Sequence, residues 1–543
     1  MNTEVQIMML NTQSGENLLA VKIPKFLKEK VEILDGRRWD PVNLYWKVPI
    51  HHLPKLELSF PQAVFSPGVI QYKENQTLRQ LHLEKEFLEL TNGVDLRQPL
   101  LNGKTLFDYQ RTGVLLLLRN KRMILADDMG LGKTIQSLVA AMVLSQSYGW
   151  KIIIVSPVSV IQNWQREAEG LGISKMMVST YTWAKIPEAP LKEFIFIADE
   201  SHYAQNGNRT QRGKAFLELA KSSFCRACFC LTGTPMKNGQ PINLFPLLQA
   251  VRHELAMNTH YFQVRYCKAH RQEIIKRNKE VISFWDNSGS SHLVELHEKI
   301  KPAMIRRTKK ECLPFLPEKT RVMREATFAA EAKKSYQQAL KELRDKYEAK
   351  VKAGIIVGDA EAMVMLGHLA HAGAIGKVEE AFEIAEEVLE EGNQVVLFST
   401  YVDPLKILQR RFQERKIATE LLIGETKDRQ SLVDRFLGGE SRVFLLSMAG
   451  GVGIDLYTAS EIININRPWT PGDIDQIEDR LNRIGQKNAV TSFWLQYGEV
   501  DKHIDHILEN KSKSIDIVLN GKGKRYNESS VGSYAKDYLE SIL

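Results

Sequence analysis

The feature that most constrains the fold is a twofold alternation of short β-branched runs with helix-length segments. The runs form two sets of three, at residues 152–155, 193–200 and 228–235 and at residues 394–400, 442–449 and 461–468. Buried strands that are joined by helical crossovers form parallel sheets. The pattern therefore predicts an α/β protein with two parallel-sheet domains in tandem.

The length and composition of the chain agree with this class of protein. A chain of 543 residues is too long for one core and suggests two to four domains. Its 43% hydrophobic and 25% charged residues are typical of soluble globular proteins. Residues 1–25 hold no continuous apolar segment like that of a signal peptide, and later apolar runs are too short to span a membrane. Because the five cysteines are an odd number, we expect a reducing intracellular compartment, cytoplasm or nucleus, and neither secretion nor a membrane.

The segments outside these runs predict helices and a hairpin. Residues 240–390 have a mainly helical pattern, and one helix has its apolar positions at Val378, Phe382, Ala385 and Val388. Gly392 is placed to end that helix. Residues 36–50 surround an Asp-Pro-Val-Asn turn with aromatic and apolar positions, which predicts a hairpin. A helical tail follows Gly498, and residues 520–530 suggest a linker before a short terminal helix.

A phosphate-binding loop is indicated by residues 124–134, ILADDMGLGKT. The general pattern is G-x-x-x-x-G-K-[ST], and only its first glycine is missing, replaced here by Asp127. Glycines let backbone N–H groups approach phosphates, and the N-terminus of the following helix favours an anion. Lys133 supplies the cation for the β- and γ-phosphates, and Thr134 supplies the hydroxyl for Mg²⁺. The flanking strand and helix are expected at residues 122–125 and 135–144.

A pair of carboxylates completes the predicted site. In the stretch FIFIADESH, an apolar strand ends in Asp199 and Glu200. At the carboxyl end of a strand, Asp199 is placed to hold Mg²⁺ and Glu200 to orient the attacking water. A lone Asp-Glu pair is more often an exposed loop, but the Gly-Lys-Thr motif earlier in the chain favours the functional interpretation. Together the two motifs predict a site that hydrolyses ATP with Mg²⁺.

The motifs around this site resemble those of the Swi/Snf-type ATPases, double-stranded DNA translocases of helicase superfamily two. That family's loop reads D-E-M-G-L-G-K-T, with an acid at the generic first glycine, and is similar to DDMGLGKT at residues 127–134. Other motifs of the family's first lobe follow in order, at residues 106–114, 152–167 (with Pro157, Asn163 and Trp164), 179–183, 199–202, 231–238 and 305–319. The resemblance implies that Gln110 lies near adenine. It also implies that the nucleotide is bound by Asp128, Met129, Gly130, Leu131, Gly132, Lys133 and Thr134.

The second set of strands carries motifs that resemble the family's second lobe. They occur at residues 395–401, 445–456 and 476–486. The resemblance adds Gly453 and Asp455 to the nucleotide site. The last motif contains Arg480 and Arg483, and an arginine from the facing domain supplies positive charge to the γ-phosphate only when the cleft closes. Either arginine is a candidate for this role. Three residues depart from the family pattern: Asn482 stands for His, Asp455 for Asn and Asn466 for Asp.

The resemblance also implies an architecture and an activity. We expect two RecA-like lobes with helical insertions and a small N-terminal α+β module. The expected domains are residues 1–95, 96–323 with an insertion near 240–310, 324–519, and a linker and tail at 520–543. The implied protein is a monomeric, DNA-dependent ATPase that moves on duplex or branched DNA in fork remodelling or strand annealing. Hydroxyl residues in the DNA-facing motifs either contact phosphates or are plain loop residues: Ser156, Thr180, Ser399 and Ser447.

The N-terminal module has its own resemblance. Residues 31–57 are similar to the HARP element of annealing helicases, which rewind or regress branched DNA. This segment combines aromatic with basic side chains: Trp39, Tyr45 and Trp46 with Arg37, Arg38 and Lys47. The aromatic residues either stack on exposed bases at a junction or form the core of the hairpin itself. The first alternative predicts a module that recognises forks or junctions.

Three clustered cysteines invite a zinc assignment, which the surrounding sequence does not favour. Cys225, Cys228 and Cys230 form a C-x-x-C-x-C pattern. No second pair of ligands follows at the spacing of a structural zinc site. The stretch leads into an apolar strand, where cysteine behaves as a small apolar residue. We therefore expect these residues in the core.

The net charge of +8 is unevenly distributed. Residues 299–310 carry six basic side chains and no acid, and residues 265–280 carry six basic and two acidic side chains. Such runs are usually solvated helix faces. Two runs in the same part of the chain raise the alternative of a phosphate-backbone partner.

Two other functions stay open at this point. One is a conventional helicase that separates DNA or RNA strands, although members of the resembling family move on duplex DNA without ordinary strand separation. The other is an ATP-gated protein displacer or remodeller. The chain shows no Cys/His array like those of histone-reading segments, so nucleosome remodelling is the less favoured outcome.

Overall fold

The computed structural model describes residues 4–11, 17–34, 36–174, 178–275, 281–353, 359–450 and 453–521. The chain divides into two compact units, Met1–Val94 and Asp95–Leu543. Most of the predicted linker and the terminal helix after it lie outside the described residues. Among the residues that are described, no helix is both long and apolar enough to cross a membrane.

The N-terminal unit is a five-stranded sheet with helices. Its elements are β1 (Gln6–Asn11), β2 (Asn17–Lys22), α1 (Glu29–Glu32), β3 (Arg38–Asp40), β4 (Tyr45–Pro49), α2 (Leu53–Ser59), β5 (Val64–Phe65) and α3 (Pro67–Thr91). The strand order is β3-β4-β2-β1-β5, antiparallel except between β1 and β5. The predicted hairpin is confirmed, since β3 and β4 pair with Trp39 opposite Trp46. A buried apolar cluster that includes Ile7, Leu19 and Val48 forms the core of the unit.

The first lobe of the larger unit is built on a six-stranded parallel sheet. Its elements are α4 (Asp108–Asn120), β6 (Arg122–Leu125), α5 (Lys133–Tyr148), β7 (Lys151–Ser156), α6 (Ile161–Gly170), β8 (Val178–Thr182), β9 (Phe194–Asp199), α7 (Gln211–Lys221), β10 (Cys225–Leu231), α8 (Phe245–Ala250), α9 (Thr259–Tyr266), β11 (His270–Ile275), β12 (Val281–Asp286), α10 (Leu293–Ile300), β13 (Met304–Ile305) and α11 (Lys309–Cys312). The sheet order is β13-β6-β10-β9-β7-β8. Five consecutive residues of β9 are buried, as expected for a central strand with both faces covered.

The second lobe repeats this plan. Its elements are β14 (Lys319–Glu325), α12 (Ala330–Lys352), α13 (Asp359–Gly376), α14 (Val378–Glu390), β15 (Val395–Ser399), α15 (Val402–Glu414), β16 (Thr419–Leu422), α16 (Arg429–Leu437), β17 (Val443–Ser447), β18 (Glu461–Asn464), α17 (Pro471–Glu478), β19 (Val490–Gln496) and α18 (Gly498–Asn520). Its six parallel strands have the order β14-β19-β18-β15-β17-β16. The predicted fold class, two parallel-sheet domains in tandem, is confirmed. Gly392 has a φ of +88° just after α14 ends, as the prediction required.

Two features differ from the expectations. Residues 240–390 are mainly helical, as expected, but β11 and β12 form an antiparallel hairpin within them that the helical pattern does not predict. The two strands, HRQEII and VISFWD, show no regular alternation of apolar and polar residues, so they lack the period-two signal of a strand. The expected lobe boundary after residue 323 falls inside β14, which pairs along its whole length with β19 of the second sheet. The second sheet therefore begins at Lys319.

The last helix joins the two lobes. The first half of α18 packs in the second lobe through Val500, Ile504 and Leu508, and its last turn packs in the core of the first lobe through Ile517, Val518 and Leu519. In the first lobe, Nδ1 of His297 lies 2.7 Å from the carbonyl oxygen of Val518. This helix of 23 residues thus packs in the cores of both lobes and links them.

Candidate nucleotide site between the two lobes

The phosphate loop lies between β6 and α5. Gly130 and Gly132 have φ values of +82° and +72°, a backbone conformation that favours glycine. A side chain at Gly132 would also overlap the Gln110 amide. The ammonium of Lys133 donates to the carbonyl oxygens of Asp127 at 2.8 Å and Asp128 at 3.1 Å. Desolvation lowers the pKa of Lys133. The lysine is therefore held at the start of α5, where the helix dipole favours an anion.

The acid that replaces the first glycine has a structural partner. Asp127 is fully buried, and its Oδ1 accepts from Nε of Arg307 at 2.9 Å, while Oδ2 accepts from Nη2 at 2.5 Å. Its neighbour Asp128 pairs with Nη2 of Arg306 at 2.7 Å and accepts from the backbone N–H of Lys309 at 2.9 Å. Sequence analysis missed these pairs. The available signal was charge complementarity between two adjacent acids and two adjacent arginines in distant segments.

The carboxylate pair lies at the end of β9. Nε1 of Trp164 donates to Oδ2 of Asp199 at 2.8 Å and fixes that side chain. Burial and then the charge of Glu200 raise the pKa of Asp199 to about 7. Glu200 has a left-handed backbone with φ of 49°. Its Oε2 lies 3.3 Å from Nδ1 of His202 but, among the described residues, this buried oxygen makes no hydrogen bond.

The second lobe brings two arginines to the same cleft. Arg480 is 3% exposed and donates through Nη1 to the carbonyl oxygen of Ile454 at 3.2 Å, but its buried Nε has no hydrogen-bond partner within the described part of the chain. Burial and then the charge of Arg483 lower the pKa of Arg480 to about 10. Arg483 forms an ion pair with Asp455 and donates from Nε to the carbonyl oxygen of Asp479 at 3.1 Å. Both predicted arginines therefore reach the cleft, with different partners.

Direct contacts hold the cleft closed. Lys237 of the first lobe and Asp473 of the second form an ion pair at 2.8 Å. Lys309 Nζ lies 3.0 Å from Oδ2 of Asp479 and donates to the carbonyl oxygen of Asn482 at 2.7 Å. The cavity beside these contacts is lined from both lobes, by Glu200, His202, Tyr203, Lys237, Met448, Asp473, Gln476 and Ile477. The acidic pair and the second lobe thus share one cavity.

The remaining predicted nucleotide residues are near the loop. Gln110 is buried, accepts from the backbone N–H of Phe107 at 3.1 Å and donates to the carbonyl oxygen of Leu131 at 3.3 Å. It therefore connects the start of α4 to the phosphate loop. Met129 and Leu131 are buried, whereas Thr134 is half-buried as the second residue of α5. Gly453 has a φ of +81° and lies against Val160 of the first lobe.

The hydroxyl residues proposed as phosphate contacts have partners within the fold. Ser156 and Ser447 are buried, and their Oγ atoms bond to the backbone at Pro157 and Gly450. Ser399 is buried and donates to Oδ1 of Asn466 at 2.8 Å. Asn466, which stands where the family pattern has Asp, therefore supports the loop that follows Ser399. Thr180, the fourth hydroxyl residue, accepts from Gln165 Nε2 at 3.1 Å. Asn482, which stands where the family pattern has His, donates to the Pro317 carbonyl at 2.9 Å. These contacts favour the loop interpretation for the three serines.

The three clustered cysteines are buried in β10 with neighbouring core residues. Cys225, Cys228 and Cys230 are each at most 1% exposed. The prediction that they belong to the core is confirmed.

In the N-terminal unit, one hairpin tryptophan packs in the core and the other is exposed, as base stacking would require. Trp46 packs against the core of the unit, whereas Trp39 is 47% exposed. Their ring centroids are 5.2 Å apart. Lys47 pairs with Asp40 at 2.9 Å. One tryptophan therefore belongs to the core and the other lies at the surface.

Comparison with known proteins identifies the family. Residues 109–184 and 174–371 match the SNF2-related domain, and residues 380–485 match the helicase conserved C-terminal domain. The chain belongs to the SNF2-related family. The family resemblance that the motifs indicated is thereby confirmed.

Several relatives of this family are similar over most of the chain. The SWI/SNF-related matrix-associated actin-dependent regulator of chromatin subfamily A-like protein 1 of Xenopus tropicalis is 30% identical over 470 residues, 80% of this chain and 47% of that protein. The DNA annealing helicase and endonuclease ZRANB3 of Homo sapiens is 28% identical over 490 residues, 83% of this chain and 44% of that protein. The chain thus spans less than half the length of these relatives. The Sulfolobus solfataricus SWI2/SNF2 ATPase core in complex with dsDNA is similar at 23% identity and a TM-score of 0.36, over 83% of this chain and 99% of that chain.

Proposed function

We propose that this chain is an ATPase motor that hydrolyses ATP to move on duplex or branched DNA. The observation that carries the proposal is a pair of charged atoms without hydrogen bonds, among the described residues, in one closed cleft. Oε2 of Glu200 comes from the first lobe and Nε of Arg480 from the second. A buried charged atom without a hydrogen bond is costly, so a ligand that contacts both walls would relieve the cost.

The residues of the cleft fit a nucleoside triphosphate with Mg²⁺. The loop from Asp128 to Thr134 would hold the phosphates through its backbone, and Lys133 donates to carbonyl oxygens of the loop, which a phosphate could replace. Thr134 and Asp199 would hold the cation, and Gln110, at the edge of the loop, would lie near the base. The bound Mg²⁺ would supply charge neutralisation on the phosphates.

The carboxylate of Glu200 is placed to act on water. Its Oε2, which makes no hydrogen bond among the described residues although it lies 3.3 Å from His202, is proposed to orient a water molecule in the cavity shared by both lobes and accept its proton. His202, 3.3 Å away, holds the side chain in this orientation and bonds in turn to Oγ1 of Thr232 at 3.2 Å. Asp199 is not proposed to accept the proton of water, because the Trp164 indole donates to its carboxylate and fixes it toward α6.

The second lobe would complete the site by adding positive charge. Of these two arginines, Arg480 has a buried Nε without a hydrogen bond among the described residues, and Arg483 is paired with Asp455. Both are proposed to stabilise the transition state, since charge that develops on the transferred phosphoryl group favours cations held in place. Gly453 and Asp455 are proposed to support them.

Family membership and the names of the relatives support DNA as the partner. One relative is named a DNA annealing helicase, and remodelling of forks or annealing of strands is the corresponding activity proposed here. The exposed Trp39 supports a role for the N-terminal unit in binding junctions.

Steady-state ATPase activity tests this function. We expect little activity without nucleic acid and the strongest stimulation by duplex or forked DNA, compared with single strands and RNA. Stimulation by single strands or RNA alone would favour a conventional helicase, and no stimulation by any nucleic acid would favour a protein displacer.

Two variants test the assignment of the residues. Lys133→Ala should abolish hydrolysis, because the phosphates lose their cation. Glu200→Gln should retain ATP binding but stop turnover, because the amide cannot accept a proton. Substantial turnover in either variant would overturn the proposed site.

A further inference from the structure

The hairpin of β11 and β12 has exposed aromatic residues on both faces. Its register runs from His270 opposite Asp286 to Ile275 opposite Val281. Phe284 is 40% exposed and Trp285 is 41% exposed. Because successive side chains of a strand point to opposite faces, these two lie on opposite sides of the ribbon. A two-stranded ribbon buries little apolar surface, so its own packing does not explain an exposed tryptophan.

The tryptophan is held in a fixed position beside a cation. Nε1 of Trp285 donates to Oε1 of Gln263 at 2.8 Å, and the His260 ring stacks against the indole with centroids 5.4 Å apart. Arg271 is the cross-strand partner of Trp285 and therefore lies on the same face. Its Nε and Nη2 donate to Ser283 Oγ at 3.0 and 2.6 Å. We call the surface formed by His260, Arg271, Ser283 and Trp285 the Trp285 face.

The opposite face provides a natural contrast. Phe284 is equally exposed and lies opposite Gln272, which is uncharged. The two faces therefore present an aromatic ring of similar exposure, with an arginine beside it on one face only.

Charge around the hairpin matches a polyanion. The first strand of the hairpin lies in the basic run of residues 265–280, which has six basic and two acidic side chains and in which Arg265 pairs with Glu295. The residues that form the candidate nucleotide site do not include residues 265–280. His270 and Arg271 in β11 are exposed. An exposed ring with a cation beside it suits a base with its phosphate, because the ring stacks on any base and the cation pairs with the backbone.

We propose that the Trp285 face binds an unpaired DNA strand, with one base stacked on Trp285 and a phosphate paired with Arg271. The inference rests on the proposed function, which supplies branched DNA as the substrate. Bases within a duplex are already stacked on each other, so this face selects the unpaired arm of a fork or junction.

Equilibrium binding without ATP tests this proposal. Fluorescence anisotropy would compare a labelled fork with unpaired arms and a blunt duplex, using the full chain and Trp285→Ala, Trp285→Phe and Phe284→Ala variants. We expect Trp285→Ala to weaken binding to the fork about tenfold, since one base–aromatic stack is lost. Binding to the blunt duplex should change less than twofold. Trp285→Phe keeps a ring and should recover most of the fork affinity, although it loses the bond to Gln263.

The matched substitution on the other face decides between binding and folding. Phe284→Ala should leave fork affinity unchanged, and equal losses in Phe284→Ala and Trp285→Ala, or no loss in either, would overturn the proposal. Stronger competition by single-stranded RNA than by DNA of the same sequence would overturn the assignment to DNA. Because affinity is measured without hydrolysis, these outcomes are independent of the ATPase assay that tests the proposed function.

Discussion

Residues 299–310 and 265–280 each carry six basic side chains, yet the fold surrounds the two runs differently. In the first run, Arg306, Arg307 and Lys309 meet the carboxylates of the phosphate loop and of the second lobe. In the second run, Arg271 is exposed and donates to a serine hydroxyl. Three cations of the first run thus serve the protein's own acids, whereas in the second run Arg265 pairs with Glu295 and Arg271 presents its charge at the surface.

The difference shows that the number of charges in a run does not determine its role. The first run lies next to β13, whose pairing with β6 places it beside the phosphate loop. The second run lies on a ribbon whose strands pair only with each other in the described structure. A basic run that packs beside acidic segments of the same protein therefore has a structural role. A basic run away from such segments can bind a charged partner.

The largest expected effect is the loss of the ion pair behind the phosphate loop. Arg307→Ala leaves the fully buried Asp127 without its partner, so we expect the free energy of unfolding to fall by about 3 kcal/mol and ATPase activity to be lost. Urea unfolding and steady-state ATPase would measure the two effects. Lys310→Ala, in the same run but exposed, is the matched control and should change neither.

A double-mutant cycle sharpens this result. If the cost comes from an unpaired charge, Asp127→Asn combined with Arg307→Gln should lose less stability than the sum of the two single variants. Additive losses would contradict the ion-pair explanation.

The next effect concerns the contact between the first run and the second lobe. Lys309→Met removes the bonds to Asp479 and to the carbonyl of Asn482 but keeps the apolar stem. We expect kcat to fall about tenfold because the arginines proposed to stabilise the transition state lose a support, with a smaller loss of stability than in Arg307→Ala. Unchanged kcat, measured at saturating ATP, would show that this contact does not position the second lobe.

The first run also illustrates how far sequence analysis reached. Motif order predicted the two sheets, the phosphate loop and the carboxylate pair, because these depend on local periodicity and on residue types at strand ends. The partners of Asp127 and the support of Asp199 by Trp164 depend on contacts between segments far apart in the chain. No local pattern encodes such pairs. The hairpin was likewise missed, since neither strand alternates apolar with polar residues and its neighbours are helical.

A smaller effect is expected at acid pH. Burial opposes ionisation of Asp479, but Lys319 and then Lys309 outweigh it and lower the pKa of this carboxyl to about 2. A folded-state pKa below the ordinary 3.8 stabilises the protein above about pH 4, and this stability is lost as the pH falls toward 2. Lys309→Met should raise that pKa and move the acid unfolding midpoint to higher pH. Circular dichroism would detect the shift, and Arg271→Gln in the exposed run should not show it.

The smallest effect on the fold is expected in the second run. Arg271→Gln should change the free energy of unfolding by less than about 0.5 kcal/mol, because the side chain is exposed. Its effect should appear instead in the salt dependence of binding to a single strand. One phosphate contact fewer lowers the slope of log affinity against log salt by about 0.7. An unchanged slope would show that Arg271 makes no phosphate contact. A loss of stability near that of Arg307→Ala would show that the two runs do not differ in their structural role.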